Sequence, residues 1–402
     1  MKWFKRKSWQ PAIPPAPADD REGTVSLPLL DVWSLAVEKG GILFDKAACQ
    51  GYLRTLASPS PPDREWERST ANPRPYIATL DDVVVIPGTR ILIDGQGNAR
   101  SDEISAGFQS LSLRPKLWDM ELLEGPHLSF RPPPLAPETI PAGIHLMGEH
   151  QANYFHWFVE ILPRLYGYLQ LTGETDLPLL VSDNLHGNLY DLLAIVSGKG
   201  RAVKRLTNGL GYRVRKLVYP ADISRIFDVY DRPPSLETTY LPVGLLKELV
   251  RDIRQALPGT DRSGAGPRRL FVKRTSTYRT LLNEAEVETF LAGRGFMPVD
   301  PGRLSVSEQV ELFSRADIVV GPSGAALTNI VWCAGGARVL VLHADHPFKK
   351  YPYWDALARV SGAGISYLAG PRANNVQGLF EAHDDYSIPV DALGGALERL
   401  GC

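Results

Sequence analysis

From Arg269 to His343 the chain alternates between two patterns that no single backbone conformation satisfies. The short, β-branched runs RLFVKR, FMPVD, DIVVGP and RVLVLH are separated by NEAEVETFLAGRG, SVSEQVELFSRA and ALTNIVWCA, whose apolar residues recur at helical spacing. Runs this short and this apolar are buried on both faces. Parallel neighbours need a crossover between them, and a helix supplies it. Strict alternation therefore dictates an α/β fold, with a Rossmann-like parallel sheet covered by helices. Local signals agree: Asn283 stands at the N-cap position of the first helix, and Ser305 with Glu308 spells a capping box for the second.

The first half carries a weaker version of the same pattern. DDVVVIPGTRILIDGQGN reads as a hairpin, two β-rich runs joined by Pro-Gly-Thr, and the proline-rich RPPPLAPETIPAG (Arg131 to Gly143) reads as a break. After it come GIHLMG, LPLLVSD and VRKLVYP as strands, with NYFHWFVEILPRLYGYLQL and LYDLLAIV as helices. A further helix near LPVGLLKELVRDIRQAL precedes the Gly/Pro-rich stretch Pro258 to Pro267, which reads as part of an inter-domain junction. The expected organisation is a flexible leader over 1–24 and an N-terminal body over 25–257, β-rich and then α/β. A Rossmann-like domain over 268–370 follows, then a tail over 371–402 that packs back on the body. Two α/β halves facing across a cleft place a ligand at the carboxyl ends of the strands.

Composition narrows the function. A net charge of -1 over 402 residues gives no polyelectrolyte character, so nucleic acid is not an expected partner. The three cysteines, Cys49, Cys333 and Cys402, are widely spaced and support neither a disulfide framework nor a zinc site, which fits reduced thiols in the cytoplasm. No run approaches the ~18 apolar residues of a membrane span. MKWFKRKSWQ is basic but is followed by PAIPPAPADD rather than an apolar region, so a secretory signal is not expected. Its interleaved Lys, Arg, Trp and Phe suit either a solvated tail or peripheral contact with an anionic membrane face.

Three stretches carry candidate chemistry. On a helical wheel of QANYFHWFVEILPRL, Asn153, His156, Glu160 and Arg164 share a stripe roughly 80° wide, opposite a largely aromatic and aliphatic face. His156 and Glu160, at i and i+4, form a pair able to take a proton from a hydroxyl, although an ordinary solvated helix face shows the same spacing. Pro163 should bend or end the helix. Lys273, Arg274 and Arg279, with the hydroxyls of Thr275, Ser276 and Thr277, make a strand-to-helix loop rich in donors suited to phosphate. Finally, in VVGPSGAALTN the strand ends at Gly321, and Ser323, Gly324, Ala325 and Ala326 leave backbone amides uncovered at a helix start. Thr328 and Asn329 add side-chain donors one turn on. This is neither a Walker A sequence nor a GxGxxG fingerprint, and small residues also serve close helix–strand packing.

Together, NYFHWFVEILPRL, KRTSTYRTLLNEAEV and SEQVELFSRADIVVGPSGAALTNIVWCAGGARVLVL resemble glycosyltransferase family 61, a group also described as capsular polysaccharide biosynthesis proteins. The resemblance runs from about Gly143 to His343. It implies a GT-B-like architecture, a nucleotide-sugar donor, and a glycan or lipid-linked oligosaccharide acceptor in surface polysaccharide synthesis. It also implies inverting transfer without a metal or other cofactor, in a bacterial cytoplasmic enzyme. Carried onto this sequence, it puts Arg274 and Arg279 on the diphosphate and Ser323, Gly324, Thr328 and Asn329 along the nucleotide. His156 and Glu160 become the catalytic pair, with Glu160 the favoured base, and Asn153 and Arg164 lie on the acceptor side. There is no DxD motif in the relevant loops, and Asp384-Asp385 reads as a solvated turn. Two positions depart from the family: Ser323 stands where many members carry His, and Val341 where a Glu is common. A nucleotide-sugar 2-epimerase and a non-catalytic sugar-nucleotide or glycan binder are the alternatives.

Overall fold

The computed structural model describes residues 25–56, 75–102, 121–122, 127–226, 239–257, 266–274, 279–346, 351–373 and 384–402. The leader over 1–24, the stretch from Pro258 to Ala265 and the hydroxyls of Thr275, Ser276 and Thr277 lie outside the described residues.

The second half follows its sequence pattern closely. Strands Met297–Val299, Arg269–Val272, Ile318–Pro322, Arg338–Ala344 and Gly364–Gly370 lie side by side in that order, all parallel. Helices Glu284–Ala292 and Val390–Arg399 cover one face. Helix Val306–Arg315, the Ala325–Trp332 turn and helix Pro352–Ser361 cover the other. The Ser305–Glu308 capping box forms, with the Ser305 amide donating to Glu308 at 2.7 Å and the Glu308 amide to Ser305 Oγ at 3.3 Å.

Two local expectations are corrected. Asn283 sits at the N-cap position, but its side chain makes no capping bond. Its Oδ1 accepts from the Ile388 amide at 3.0 Å and its Nδ2 donates to the Ile388 carbonyl at 2.9 Å, tying the C-terminal segment to this sheet. ALTNIVWCA forms a 3₁₀ helix, Ala325–Trp332, rather than an α-helix.

The first half is built on one large mixed sheet. Val203–Leu206, Leu179–Ser182, Leu135–His145 and Gly211–Pro220 are parallel neighbours. Gly211–Pro220 then pairs antiparallel with Ile77–Val85, whose hairpin partner is Leu92–Ile93, and the sheet continues into the remaining N-terminal strands. The proline-rich stretch is no break, because Leu135–His145 runs through it. Pro137 falls where the register against Gly211–Pro220 shifts by a bulge, and Pro141 lies between the paired residues Ile140 and Ala142. Both are places where a strand tolerates a missing N–H. The charged strand Val203–Leu206, which the sequence pattern does not announce, is an edge strand, where lysine and arginine discourage further pairing.

One hydrophobic core joins the two sheets. Trp157, Phe158 and Leu162 from the first half and Val272, Val319, Leu327 and Trp332 from the second belong to the same buried cluster, and the Phe158 and Trp332 rings meet edge to face at 5.3 Å. Among the described residues no helix is long and apolar enough to cross a membrane.

Candidate active site

In the second sheet the chain steps from Arg269–Val272 outward to Met297–Val299, then returns to the opposite side at Ile318–Pro322. The loops after Arg269–Val272 and Ile318–Pro322 therefore diverge, and an open α/β sheet binds its ligands in the crevice this leaves. Gly321 allows the close approach, since a Cβ there would sit 2.9 Å from Val272 Cβ. Arg274 follows the first strand; its guanidinium donates to the Ser323 carbonyl and lies over Gly324. A Cβ at Gly324 would meet Arg274 Nη1 at 2.0 Å. The Gly324 backbone is extended, with φ 172° and ψ 170°, so the arginine contact and not the torsion demands glycine. Arg279 holds a left-handed φ of 55°, a conformation that costs a residue with a side chain on the order of 1 kcal/mol.

A cavity of about 510 Å³ opens at this crevice. Lys273, Arg274, Arg279, Gln309 and Asn329 line it from the second half, with the turn Asp300–Gly302 and the first 3₁₀ residues Ala325 and Ala326. From the first half come Asn153, Tyr154, His186 and Asn188. Of the residues singled out from sequence, Arg274, Arg279, Asn329 and Asn153 thus meet at one wall. Asn329 also links the halves: its Nδ2 donates to the Ala326 carbonyl at 3.0 Å, and its Oδ1 accepts from Tyr154 Oη at 3.4 Å.

Other candidates stand behind the wall. Ser323 is buried, with its Oγ accepting from the Trp354 indole at 3.1 Å, and Thr328 is fully buried. Val341 is core. Lys273, by contrast, is on the cavity wall, where Glu288 holds it at 2.7 Å.

His156 and Glu160 do pair, Nδ1 to Oε2 at 2.8 Å, on the helix whose first turn supplies Asn153 and Tyr154 to the cavity. That helix is not uniform. Tyr154–His156 leads into a π-helical turn, Trp157–Ile161, and α geometry resumes at Leu162–Thr172 with Pro163 at its start. The wider turn accommodates the proline, which offers no N–H to the preceding turn. Glu160 is enclosed: the Ile226 amide donates to Oε1 at 3.2 Å and the Arg90 guanidinium stands 3.5 Å from Oε2. Burial alone would raise this carboxyl, yet Arg90 and His156 bring it down to about 2. Arg90 also reaches Asp222 at 3.2 Å, so one guanidinium ties the hairpin loop to Glu160 and to Asp222.

Arg164 is corrected. It is fully buried and faces no acceptor, because its guanidinium donates to the carbonyls of Pro220, Met147 and His145 at 2.9, 3.1 and 3.0 Å. A wheel places it on the polar stripe, but His145, Met147 and Pro220 of the first sheet cover that part of the helix. Asn153 is the helix N-cap, accepting from the Phe155 amide at 2.9 Å. Asp384-Asp385 is not a solvated turn either. Asp384 is buried beside Arg372 at 3.4 Å, and Asp385 accepts from the Thr280 amide at 2.7 Å. Among the described residues no group of three or more His, Cys, Asp or Glu is placed to hold a metal.

Motif reading does not reveal Gln309, Asn188 and His186, which line the cavity, or Arg90, which stands beside Glu160. Gln309 alone left a trace, as a polar residue on the stripe Val306, Val310 and Phe313 that faces the core.

Residues 154–340 match the family model described as Glycosyltransferase 61. The match takes in the His156–Glu160 pair and the second-half wall of the cavity, and leaves Asn153 and Arg90 outside. No curated protein matches the chain.

Proposed function

Because residues 154–340 place the chain in glycosyltransferase family 61, we propose that it transfers a sugar from a nucleotide-sugar to a hydroxyl of a glycan or lipid-linked oligosaccharide. The reading is a GT-B-like one, with the donor between two α/β halves. The observation that carries it is the cavity of about 510 Å³ shared by both halves, with Arg274 and Arg279 on its wall at the switch point of the parallel sheet.

The arginines hold the diphosphate and stabilise the charge it acquires on leaving, the role a divalent ion plays elsewhere. The proton goes to His156 rather than Glu160. A carboxyl held near 2 by Arg90 and His156 is a weak base. With Nδ1–H donated to Glu160, the neutral imidazole keeps its lone pair on Nε2. The acceptor hydroxyl gives its proton to Nε2 as its oxygen attacks the anomeric carbon, and the bond from that carbon to the diphosphate oxygen breaks. Glu160 orients the ring and stabilises its positive charge. One displacement inverts the anomeric centre.

The test has two parts. Nucleoside diphosphates should raise the melting temperature of the wild-type protein, because a ligand that binds only the folded state stabilises it. His156→Ala should keep that shift and lose about 10²- to 10⁴-fold in turnover. Near-wild-type turnover in His156→Ala would remove the base assignment, and the absence of any nucleotide-induced shift would remove the donor site.

A further inference from the structure

One end of the cavity, lined by the turn Asp300–Gly302 and by Gln309, is not used by the transfer reaction. Across the top of the second sheet, Met297–Val299 lies beside Arg269–Val272 on the side away from Ile318–Pro322. The turn Asp300–Gly302 therefore sits one strand beyond Arg274, on the order of 5 Å further out. This turn and Gln309 line the same cavity as Arg274 and Arg279.

Gln309 is built to present one fixed acceptor. It is only 1% exposed, and its Nε2 donates to the Pro301 carbonyl at 2.9 Å and to the Leu304 carbonyl at 3.0 Å. Both amide hydrogens are thereby engaged, which fixes the orientation of the side chain. Its Oε1 is buried without a hydrogen-bond partner among the described residues, in a side chain that forms part of the cavity wall. An unmet buried acceptor is costly, and a ligand N–H would remove that cost. The first half closes the same end. Asn188 Nδ2 donates to the Leu304 carbonyl at 2.8 Å, and the Asn188 amide donates to His186 Nδ1 at 3.2 Å. A neutral His186 in that arrangement carries its proton on Nε2, a donor at the cavity rim.

We infer that this end holds the nucleobase of the donor, and that Gln309 Oε1 sets base preference by accepting from an N–H on the base edge. The inference rests on the nucleotide-sugar reading of the same cavity. Residues from both halves frame the base, so the first half takes part in donor recognition through Asn188 and His186.

Calorimetric titration of the full chain with inorganic pyrophosphate and with the uridine, guanosine, cytidine and adenosine diphosphates tests it. The best-bound diphosphate is then compared with its counterpart methylated at the N–H edge of the base. Methylation should weaken binding to the wild type at least tenfold. Gln309→Met should lose most of the preference among bases while holding pyrophosphate within about twofold of wild type. Equal affinity for the methylated and parent nucleotides overturns the inference and leaves the donor site intact; that arm needs no variant to fold. Unchanged base preference in Gln309→Met overturns it as well. If neither pyrophosphate nor any nucleoside diphosphate binds, the donor reading falls and takes this inference with it.

Discussion

Arg274 and Gly324 show how one contact sets two residue identities. The guanidinium reaches the Ser323 carbonyl only because nothing projects from the neighbouring Cα, where a methyl would lie 2.0 Å from Nη1. Gly324→Ala is thus expected to push Arg274 off its seat without straining the backbone, which is already extended. The expected result is a loss of nucleoside diphosphate affinity of tenfold or more, with the melting temperature lowered by only a few degrees. Titration and thermal unfolding measure the two, and an unchanged affinity would show that Arg274 does not depend on this seat. The arginines were legible in the sequence because a basic residue just after a strand already implies a position over the sheet end. Arg90 and Gln309 were not. Arg90 meets Glu160 only when the first sheet brings the hairpin loop to the helix that carries Glu160, and Gln309 is defined by carbonyls that the preceding turn presents.

At the scale of elements, sequence reading succeeded where local chemistry is self-sufficient. The capping box over Ser305 and Glu308 is complete within four residues, and both of its bonds form. Ser305→Ala removes the side-chain acceptor for the Glu308 amide and should cost about 1 kcal/mol. The cost should appear in urea unfolding with nucleotide affinity unchanged; a loss of affinity would mean that this helix positions Gln309 more delicately than its burial implies. Reading failed where tertiary packing chose among close alternatives. Leu135–His145 is extended despite its prolines because its bulge and half-open edge accept them. Ala325–Trp332 is wound as a 3₁₀ helix, although its apolar spacing also suits an α-helix. Arg164 lies in the core because carbonyls of Pro220, Met147 and His145 from the first sheet enclose it. In the strand and the 3₁₀ helix the polar–apolar pattern was right and the pitch or the pairing was decided elsewhere.

For the whole molecule, the governing fact is that one buried cluster spans both sheets, in addition to the cluster each sheet keeps on its other face. Residues on the acid/base helix and residues beneath the second sheet form one buried cluster, with Phe158 against Trp332 and Phe155 against Trp354 at ring distances of 5.3 Å. The cavity walls are therefore held in register by packing, with Tyr154 to Asn329 as a polar contact at the rim. Halves that met only through a polar cleft would be expected to move and unfold independently. A shared core couples them, because opening either half exposes the apolar surface of both. Calorimetry on the full chain should accordingly show a single unfolding transition, despite a length at which separate transitions are common. Trp332→Ala deletes the side chain at the centre of that contact and should lower stability by about 3–5 kcal/mol. It should shift the one transition without splitting it. Two resolved transitions in the wild type, or a Trp332→Ala protein in which only one half melts early, would show that the halves are energetically separate.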